Sequence, residues 1–271
     1  MSRLSILERM SESPVVFDGA MGTVIYSRGV FINRCFDEVN LTDPRLVLEI
    51  HREYVEAGAD VIETNTFGAN RISLDHRGLG PEARDLNRRA ALLAQEAVRK
   101  LATPHQPRFV VGSIGSTHRL PTLGQVTFAQ LLDVYAEQAL GLLDGGVDGF
   151  LVETSQDILQ IKAAMLAIRR VAPDHPVLVS LTLQPGGRTL LGTEVATALA
   201  TLLPLRPAAF GLNCSAGPHE LAPHIRALAR LSPIPVSVMP NAGLPELIGD
   251  RATFPMTPQD FAEGLVPLVV E

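Results

Sequence analysis

Short apolar runs alternate along the chain with longer amphipathic stretches, and a strand followed by a helix is predicted seven times. The runs predicted to be strands are 15–17, 61–62, 109–111, 150–152, 177–183, 210–212 and 236–238. The stretches predicted to be helices are 46–57, 84–101, 127–144, 156–171, 193–203, 218–231 and 258–270. In the first of these helices, Leu46, Ile50 and Tyr54 recur at helical spacing and share one face.

Continuously apolar strands that are separated by helices are typical of a parallel sheet covered on both faces. A length of 271 residues fits a single domain, residues 1–271, with the fold of a (β/α)8 TIM barrel, for which about 250 residues is typical. A closed barrel needs eight strands, and only seven are predicted. We therefore expect the eighth strand and helix to be lacking in this chain, so that the natural polypeptide continues or another segment fills the gap. An irregular or seven-stranded barrel is the alternative.

Composition excludes several classes of protein. The net charge is −6 and no run of basic residues occurs, which argues against nucleic acid as a partner. No stretch approaches the roughly 18 apolar residues of a membrane span, and the first residues lack the apolar core of a secretion signal, so we expect no membrane partner and a cytoplasmic location. The two cysteines, Cys35 and Cys214, do not make a disulfide framework.

Polar residues follow the predicted strands at the end where a parallel barrel has its active site. The carboxylates there are Asp18, Glu63 and Glu153, and a buried carboxylate needs a partner such as a bound ammonium group. The alternative for each is that it caps the following helix. A third possibility is a metal-free lyase or hydrolase that uses these carboxylates as acid and base.

Two further segments are candidates for binding. The glycines of 18–23 (DGAMGT) allow close backbone approach to a ligand, and their amides could hold a carboxylate. Cys214 ends a strand, where its thiolate could be a zinc ligand or a nucleophile, although one cysteine cannot make a zinc site and burial as a small apolar group is the alternative. Cys35 is interpreted as structural. The seven histidines show no metal-ligand spacing, and His118, the one nearest the predicted active face, is expected to be a loop residue.

Taken together, these segments resemble the homocysteine S-methyltransferase family. The matching motifs are DGAMGT at 18–23, EAGADVIETNTFGA at 56–69, GVD and VET at 146–148 and 152–154, GLNC with GP at 211–214 and 217–218, and MPNAGLP at 239–245. LPTLG at 120–124 and QDILQIKAA at 156–164 place the resemblance closest to the N-terminal, homocysteine-binding module of the cobalamin-dependent, methionine-forming members. The third loop departs from the family pattern, because Gly115-Ser116-Thr117 lacks the usual Gly-Pro before the threonine.

The resemblance implies a (β/α)8 barrel in which three cysteine thiolates hold a zinc ion that also binds the substrate sulfur. Cys214 matches the first ligand, and the other two, an adjacent pair in a Gly-Gly-Cys-Cys-Gly segment of the eighth strand, are expected beyond residue 271. Asp18 and Glu153 match positions that bind the substrate amino group. The remaining substrate-binding positions implied are Gly19, Ala20, Met21, Thr23, Glu63, Thr64, Asn65, Thr66 and Asn213.

The function implied is zinc-dependent activation of homocysteine as a thiolate, which attacks the methyl group of methylcobalamin to give methionine. The implied partners are homocysteine and the cobalamin-binding and folate-binding modules of the same longer protein. Three alternatives stay open: a module fused to a methylenetetrahydrofolate reductase, a member that uses another methyl donor, and a non-catalytic amino-acid-binding barrel without a complete zinc site.

Overall fold

Six parallel strands form the centre of the molecule and are hydrogen-bonded in the order in which they occur in the chain. The structure is a computed structural model that describes residues 4–31, 33–103, 105–244, 246–248 and 251–270. The parallel strands are β1 (Val61–Glu63), β2 (Phe109–Ile114), β3 (Gly149–Ser155), β4 (Val177–Leu181), β5 (Ala209–Cys214) and β6 (Val236–Pro240). A sheet whose consecutive strands are neighbours, each followed by a helix, is the arrangement of a TIM barrel, and here it forms a curled partial barrel.

The helices surround this sheet. They are α1 (Ile6–Glu12), α2 (Met21–Ser27), α3 (Val39–Thr42), α4 (Pro44–Glu56), α5 (Arg71–Asp75), α6 (Ala83–Leu101), α7 (Phe128–Asp144), α8 (Ile158–Val171), α9 (Val195–Leu202), α10 (Pro218–Leu231) and α11 (Pro258–Val270). All seven predicted helices are confirmed, with ends that differ by at most two residues. For example, α8 begins after Asp157, whose carboxylate accepts the N–H of Leu159 as an N-cap.

The first predicted strand, 15–17, is wrong as a regular strand. Phe17 makes only an isolated parallel bridge to Val61, with the Asp18 N–H donating to the Val61 carbonyl at 2.9 Å. The apolar run is three residues long and lies between Pro14, which has no N–H, and Gly19, so it can make few ladder hydrogen bonds. It nevertheless runs beside β1, which brings Asp18 to the carboxyl end of the sheet.

Several elements were not predicted. Besides α1, α2, α3 and α5, an antiparallel pair follows β6, formed by β7 (Glu246–Ile248) and β8 (Arg251–Thr253). Pro245, the last residue of the matching motif at 239–245, lies outside the described residues. None of the described helices has the length and apolar character needed to cross a membrane.

The two faces of the sheet have different surroundings, because successive side chains of a strand point to opposite faces. On the outer face, residues such as Ile62, Val110 and Val152 pack in the large core with the helices. On the inner face, an apolar cluster is closed at one end by Ile6 of α1 and contains Val61, Phe109, Val111, Leu151, Leu178 and Ala209. Further along the same strands, the inner positions become polar: Glu63, Ser113, Glu153 and Asn213. The polar groups therefore share the carboxyl end of the barrel.

Glycines end two of the helices that lead into strands. Gly58 after α4 has φ 115° and Gly146 after α7 has φ 85°, conformations that favour glycine. Each turn delivers the chain directly to the start of a strand that carries a glutamate at its other end.

Candidate active site

Three carboxylates converge at the carboxyl end of the sheet. Asp18 lies beside the end of β1, and both of its carboxylate oxygens accept the Glu63 N–H, each at 3.1 Å. The side chain of Glu63 lies close to that of Glu153 on β3, and the proximity of the two carboxyl groups adds to the rise in the pKa of Glu63. The carboxylates that the strand-end pattern singled out are thus one cluster rather than three separate caps.

The electrostatics of this cluster disfavour full ionisation. Burial raises the pKa of Asp18 well above its usual range, against the effect of the Glu63 N–H, and the charge of Glu153 adds to the rise. Burial also raises the pKa of Glu63 well above its usual range, with further contributions from the charges of Glu153 and Asp18. The pKa of Glu153 is raised by burial as well. Since these groups cannot all ionise without cost, a cation that entered the pocket would stabilise their charged forms.

Glu153 is held by hydrogen-bond donors from three strands. One oxygen accepts the Ser113 hydroxyl of β2, and the other accepts the Thr154 hydroxyl at 3.2 Å and the Asn213 amide of β5 at 3.1 Å. The register of β3 against β4 shifts between Val152 and Ser155, so that Glu153 and Thr154 lie at a bulge. Bulges re-aim side chains near active sites, and this one directs both residues towards the same pocket.

Cys214 reaches this pocket from the end of β5. It is half-buried, and its Sγ lies 3.9 Å from the Thr154 hydroxyl oxygen. Burial raises the pKa of the Cys214 thiol, and the charge of Glu153 raises it further. The thiol is therefore protonated near neutral pH, and a nearby cation would favour the thiolate. The other cysteine, Cys35, lies before α3, where its Sγ is 3.7 Å from an oxygen of Asp37.

The residues that follow Glu63 are tied to one another and to neighbouring segments by hydrogen bonds. The hydroxyls of Thr64 and Thr66 bond to each other, and Thr66 also donates to the Ser113 carbonyl at 2.7 Å. The Asn65 amide donates to the Phe36 carbonyl at 2.8 Å. All three side chains are buried. They fix β1 to β2 and to the segment before α3, and a direct contact of theirs with a substrate stays a prediction.

The glycine segment after Phe17 packs against Tyr54 of α4. A Cβ on Gly19 would lie 2.9 Å from the Tyr54 hydroxyl, and that hydroxyl donates to the Ala20 carbonyl at 3.0 Å. Met21 then begins α2, and Thr23 is exposed on it. Burial and the charge of Asp18 raise the pKa of Tyr54 to about 12, which keeps its hydroxyl protonated as a donor. The helical spacing of Tyr54 predicts an ordinary core position and gives no sign of its contact with the glycine segment.

No histidine that the structure describes is bonded to the carboxylate cluster. His118, expected to be a loop residue, follows β2 in a loop, and its Nε2 lies 2.8 Å from the Nε2 of His76. Among the described residues, no three His, Cys, Asp or Glu side chains are arranged so that they could hold a metal ion.

Sequence comparison relates the chain to methyltransferases. The profile of the homocysteine S-methyltransferase family matches residues 15–269. A methionine synthase of Mycobacterium leprae (strain TN) is 43% identical over 276 aligned positions, and one of Mycobacterium tuberculosis (strain ATCC 25618 / H37Rv) is 42% identical. Both alignments cover 98% of this chain but only 23% of the relative, so the chain spans less than a quarter of their length.

Solved structures agree in fold. The homocysteine methyltransferase MmuM from Escherichia coli, in its metallated form, superposes with a TM-score of 0.76 at 24% identity, over 87% of this chain and 86% of that one. Its oxidised form gives a TM-score of 0.74 at 24% identity, over 84% and 82%. At this identity the likeness establishes the fold alone. The family match over almost the whole chain decides the classification: this chain belongs to the homocysteine S-methyltransferase family.

Proposed function

We propose that residues 1–271 are the homocysteine-binding module of a zinc-dependent homocysteine S-methyltransferase that forms methionine. The observation that carries the proposal is the meeting of the carboxylate cluster with the Cys214 thiol at one end of the sheet. Homocysteine has an ammonium group at one end and a thiol at the other. The carboxylate cluster supplies negative charge for the ammonium group, and Cys214 marks the position of the substrate sulfur.

In this proposal the carboxylates bind the amino group. Asp18 and Glu153 accept hydrogen bonds from the ammonium, and Glu63, whose N–H donates to Asp18, lies beside both carboxylates. A bound ammonium offsets the cost of ionising this cluster, because an opposite charge within a few ångströms favours the charged carboxylate. Fixing the amino end positions the sulfur for attack on a methyl group. The wall is formed by Gly19, Ala20, Met21, Thr23, Thr64, Asn65, Thr66 and Asn213.

The zinc ion of the proposal needs more ligands than the described residues supply. Cys214 has the right chemistry for one ligand position, but the described residues do not fit a complete zinc site. We propose that two further thiolates come from polypeptide outside them, beyond residue 271. When bound, zinc stabilises a thiolate at neutral pH and so supplies a nucleophile.

The same outside segment would extend the sheet. Among the described residues, β6 pairs only with β5, and all five of its residues are partly exposed, whereas β2 and β4 are fully buried. We propose a further strand beside β6, which would make the chain a (β/α)8 barrel that lacks its eighth strand and helix. The length of the methionine synthase relatives supports additional modules. We propose that these carry the methyl donor, methylcobalamin, and bind the folate from which its methyl group comes.

The binding step is tested by titrating L-homocysteine into the protein and into Glu153→Gln. Removal of one charge-assisted hydrogen bond of about 1.5–3 kcal/mol should weaken binding by about 10- to 100-fold. The matched control is Asp133→Asn, since the Asp133 side chain is 79% exposed on α7. Equal affinities for the protein and Glu153→Gln would contradict the assignment of the amino group to this cluster.

The metal step is tested by zinc analysis of the 271-residue chain beside a longer natural form. We expect stoichiometric zinc and methyl transfer to homocysteine only in the longer form. Both properties in the 271-residue chain alone would mean that the ligand set is wrong. A longer form that binds homocysteine without zinc would instead support the non-catalytic amino-acid-binding barrel, and transfer from a donor other than methylcobalamin would replace the proposed donor.

A further inference from the structure

Asn213 lies between the two ends of the proposed substrate site. It is 3% exposed on the inner face of β5, directly before Cys214. Its Nδ2 donates to the Glu153 carboxylate at 3.1 Å and to the Thr154 hydroxyl at 2.7 Å. An asparagine amide has two N–H donors, and both are used here. The side chain is therefore a link between protein groups, with no donor left for a substrate.

Thr154 completes this link on the other side. Its N–H donates to the Asn213 Oδ1 at 3.2 Å, and its hydroxyl lies 3.9 Å from the Cys214 Sγ. Thr154 and Cys214 both have left-handed backbones, with φ 54° and 56°. Such conformations are uncommon outside glycine, above all for a β-branched residue, and persist where the surroundings hold them. The bonds between Asn213 and Thr154 join β3 to β5, which are not neighbours in the sheet.

Thr182, at the end of β4 between β3 and β5, adds a third hydrogen-bonding side chain to this link. It follows β4 directly, is 6% exposed, and its hydroxyl lies 3.2 Å from the Asn213 carbonyl oxygen and 3.3 Å from the Asn213 Oδ1. A hydroxyl has one proton to donate, and either acceptor belongs to the same residue. Three consecutive strands therefore contribute to one hydrogen-bonded unit, which we name the bracket: Thr154, Thr182 and Asn213.

We propose that the bracket fixes the distance between Glu153 and Cys214 and thereby selects homocysteine over cysteine, which is one methylene shorter. The inference rests on the proposed function, in which Glu153 binds the amino group and Cys214 marks the sulfur position. A substrate held at both ends is selected by the separation of its two anchors. One methylene is worth about 10- to 200-fold in discrimination, and this requires that the anchors do not move to meet the shorter molecule. The bracket residues are positioning residues, because they act through Glu153 and Cys214.

The test compares dissociation constants for L-homocysteine and L-cysteine, measured by calorimetry on the protein at its natural length. Thr182→Val removes the hydroxyl and keeps the shape of the side chain. We expect it to lower the preference for homocysteine about fivefold, the effect of one typical hydrogen bond, and Asn213→Ala to lower it further. Thr182→Ser, which keeps the hydroxyl, should restore the preference. Thr189→Val is the matched control, since Thr189 is also a buried threonine, 2% exposed, outside the bracket.

The outcomes separate spacing from general damage. A structural defect alone would weaken the binding of both ligands by the same factor and leave the ratio of their dissociation constants unchanged. That result in Thr182→Val would overturn the inference. Thr182→Val decides the question even where Asn213→Ala does not fold. If the unsubstituted protein binds neither thiol, the proposed function fails and the selectivity inference fails with it. If the unsubstituted protein prefers homocysteine and the variants keep that preference, only the bracket is refuted.

Discussion

His51 of α4 should make the stability of the protein fall in mild acid. The side chain is fully buried, and within the described part of the chain neither ring nitrogen has a hydrogen-bond partner. Burial lowers the pKa of His51 from 6.5 to about 4. The folded protein therefore holds a neutral imidazole over a pH range in which the unfolded chain binds a proton.

The sign and size of the effect follow from this difference. A group whose folded pKa is lowered contributes stability above its unfolded pKa, here 6.5, and that stability is lost as the pH falls towards 4. Each pH unit between the two values is worth 1.36 kcal/mol, so the full loss is about 3 kcal/mol. Typical domains are stable by only about 5–15 kcal/mol, so His51 accounts for a large part of the acid sensitivity that we expect.

The measurement is urea unfolding at a series of pH values between 7.5 and 4.5, for the protein and for His51→Leu. The pocket carboxylates have raised pKa values and change stability in the opposite direction, but they are present in both proteins and cancel in the difference. The free energy of unfolding of the protein should fall relative to that of His51→Leu by up to about 3 kcal/mol. His105→Leu serves as the control, because His105 is exposed. Parallel curves for the protein and His51→Leu would refute the reasoning.

Two further predictions concern the frame of the site. Burial raises the pKa of Asp37 to about 6, and its carboxylate accepts the Gly68 N–H at 2.9 Å. Its stabilising contribution is lost as the pH rises from 4 through 6, so the free energy of unfolding of the protein should fall relative to that of Asp37→Asn over that range, and a constant difference would refute this. Gly141 of α7 packs on α6 so closely that a Cβ would lie 2.4 Å from the Arg84 carbonyl oxygen. Gly141→Ala should therefore lose about 1–3 kcal/mol of unfolding free energy in urea, and an unchanged midpoint would show that the two helices can separate.

The sequence was sufficient to predict the repeated strands and helices, and the residues that meet at the carboxyl end of the sheet. Glu63, Glu153 and Cys214 could be assigned to the same end of the sheet because the ends of consecutive parallel strands meet there. That argument needs only the position of each residue after its apolar run. Homocysteine S-methyltransferase membership, expected from the motifs, is confirmed by the family match.

The remaining features depend on contacts that no local pattern encodes. Tyr54 reaches the Ala20 carbonyl across 34 positions of sequence, and Thr182 reaches Asn213 across 31. The spacing of Tyr54 is that of a core residue of a helix, and the position of Thr182 predicts only the end of an apolar strand. The composition of the run at 15–17 predicts a full strand, although its length allows only a bridge to Val61.

The strained backbone conformations and the buried carboxylates of this fold lie where the proposed ligand binds. Three of the four described non-glycine residues with left-handed backbones, Thr154, Cys214 and Ser215, lie at the carboxyl ends of β3 and β5. The carboxylates whose pKa values are raised by burial lie beside them, while the inner face at the other end of the strands is apolar. Strain and buried charge persist only where the surrounding bonds hold them in place. A ligand ammonium removes part of the electrostatic cost without a rearrangement of the backbone. Homocysteine should therefore stabilise the folded protein more at a pH at which the carboxylates ionise than at a pH at which they are protonated.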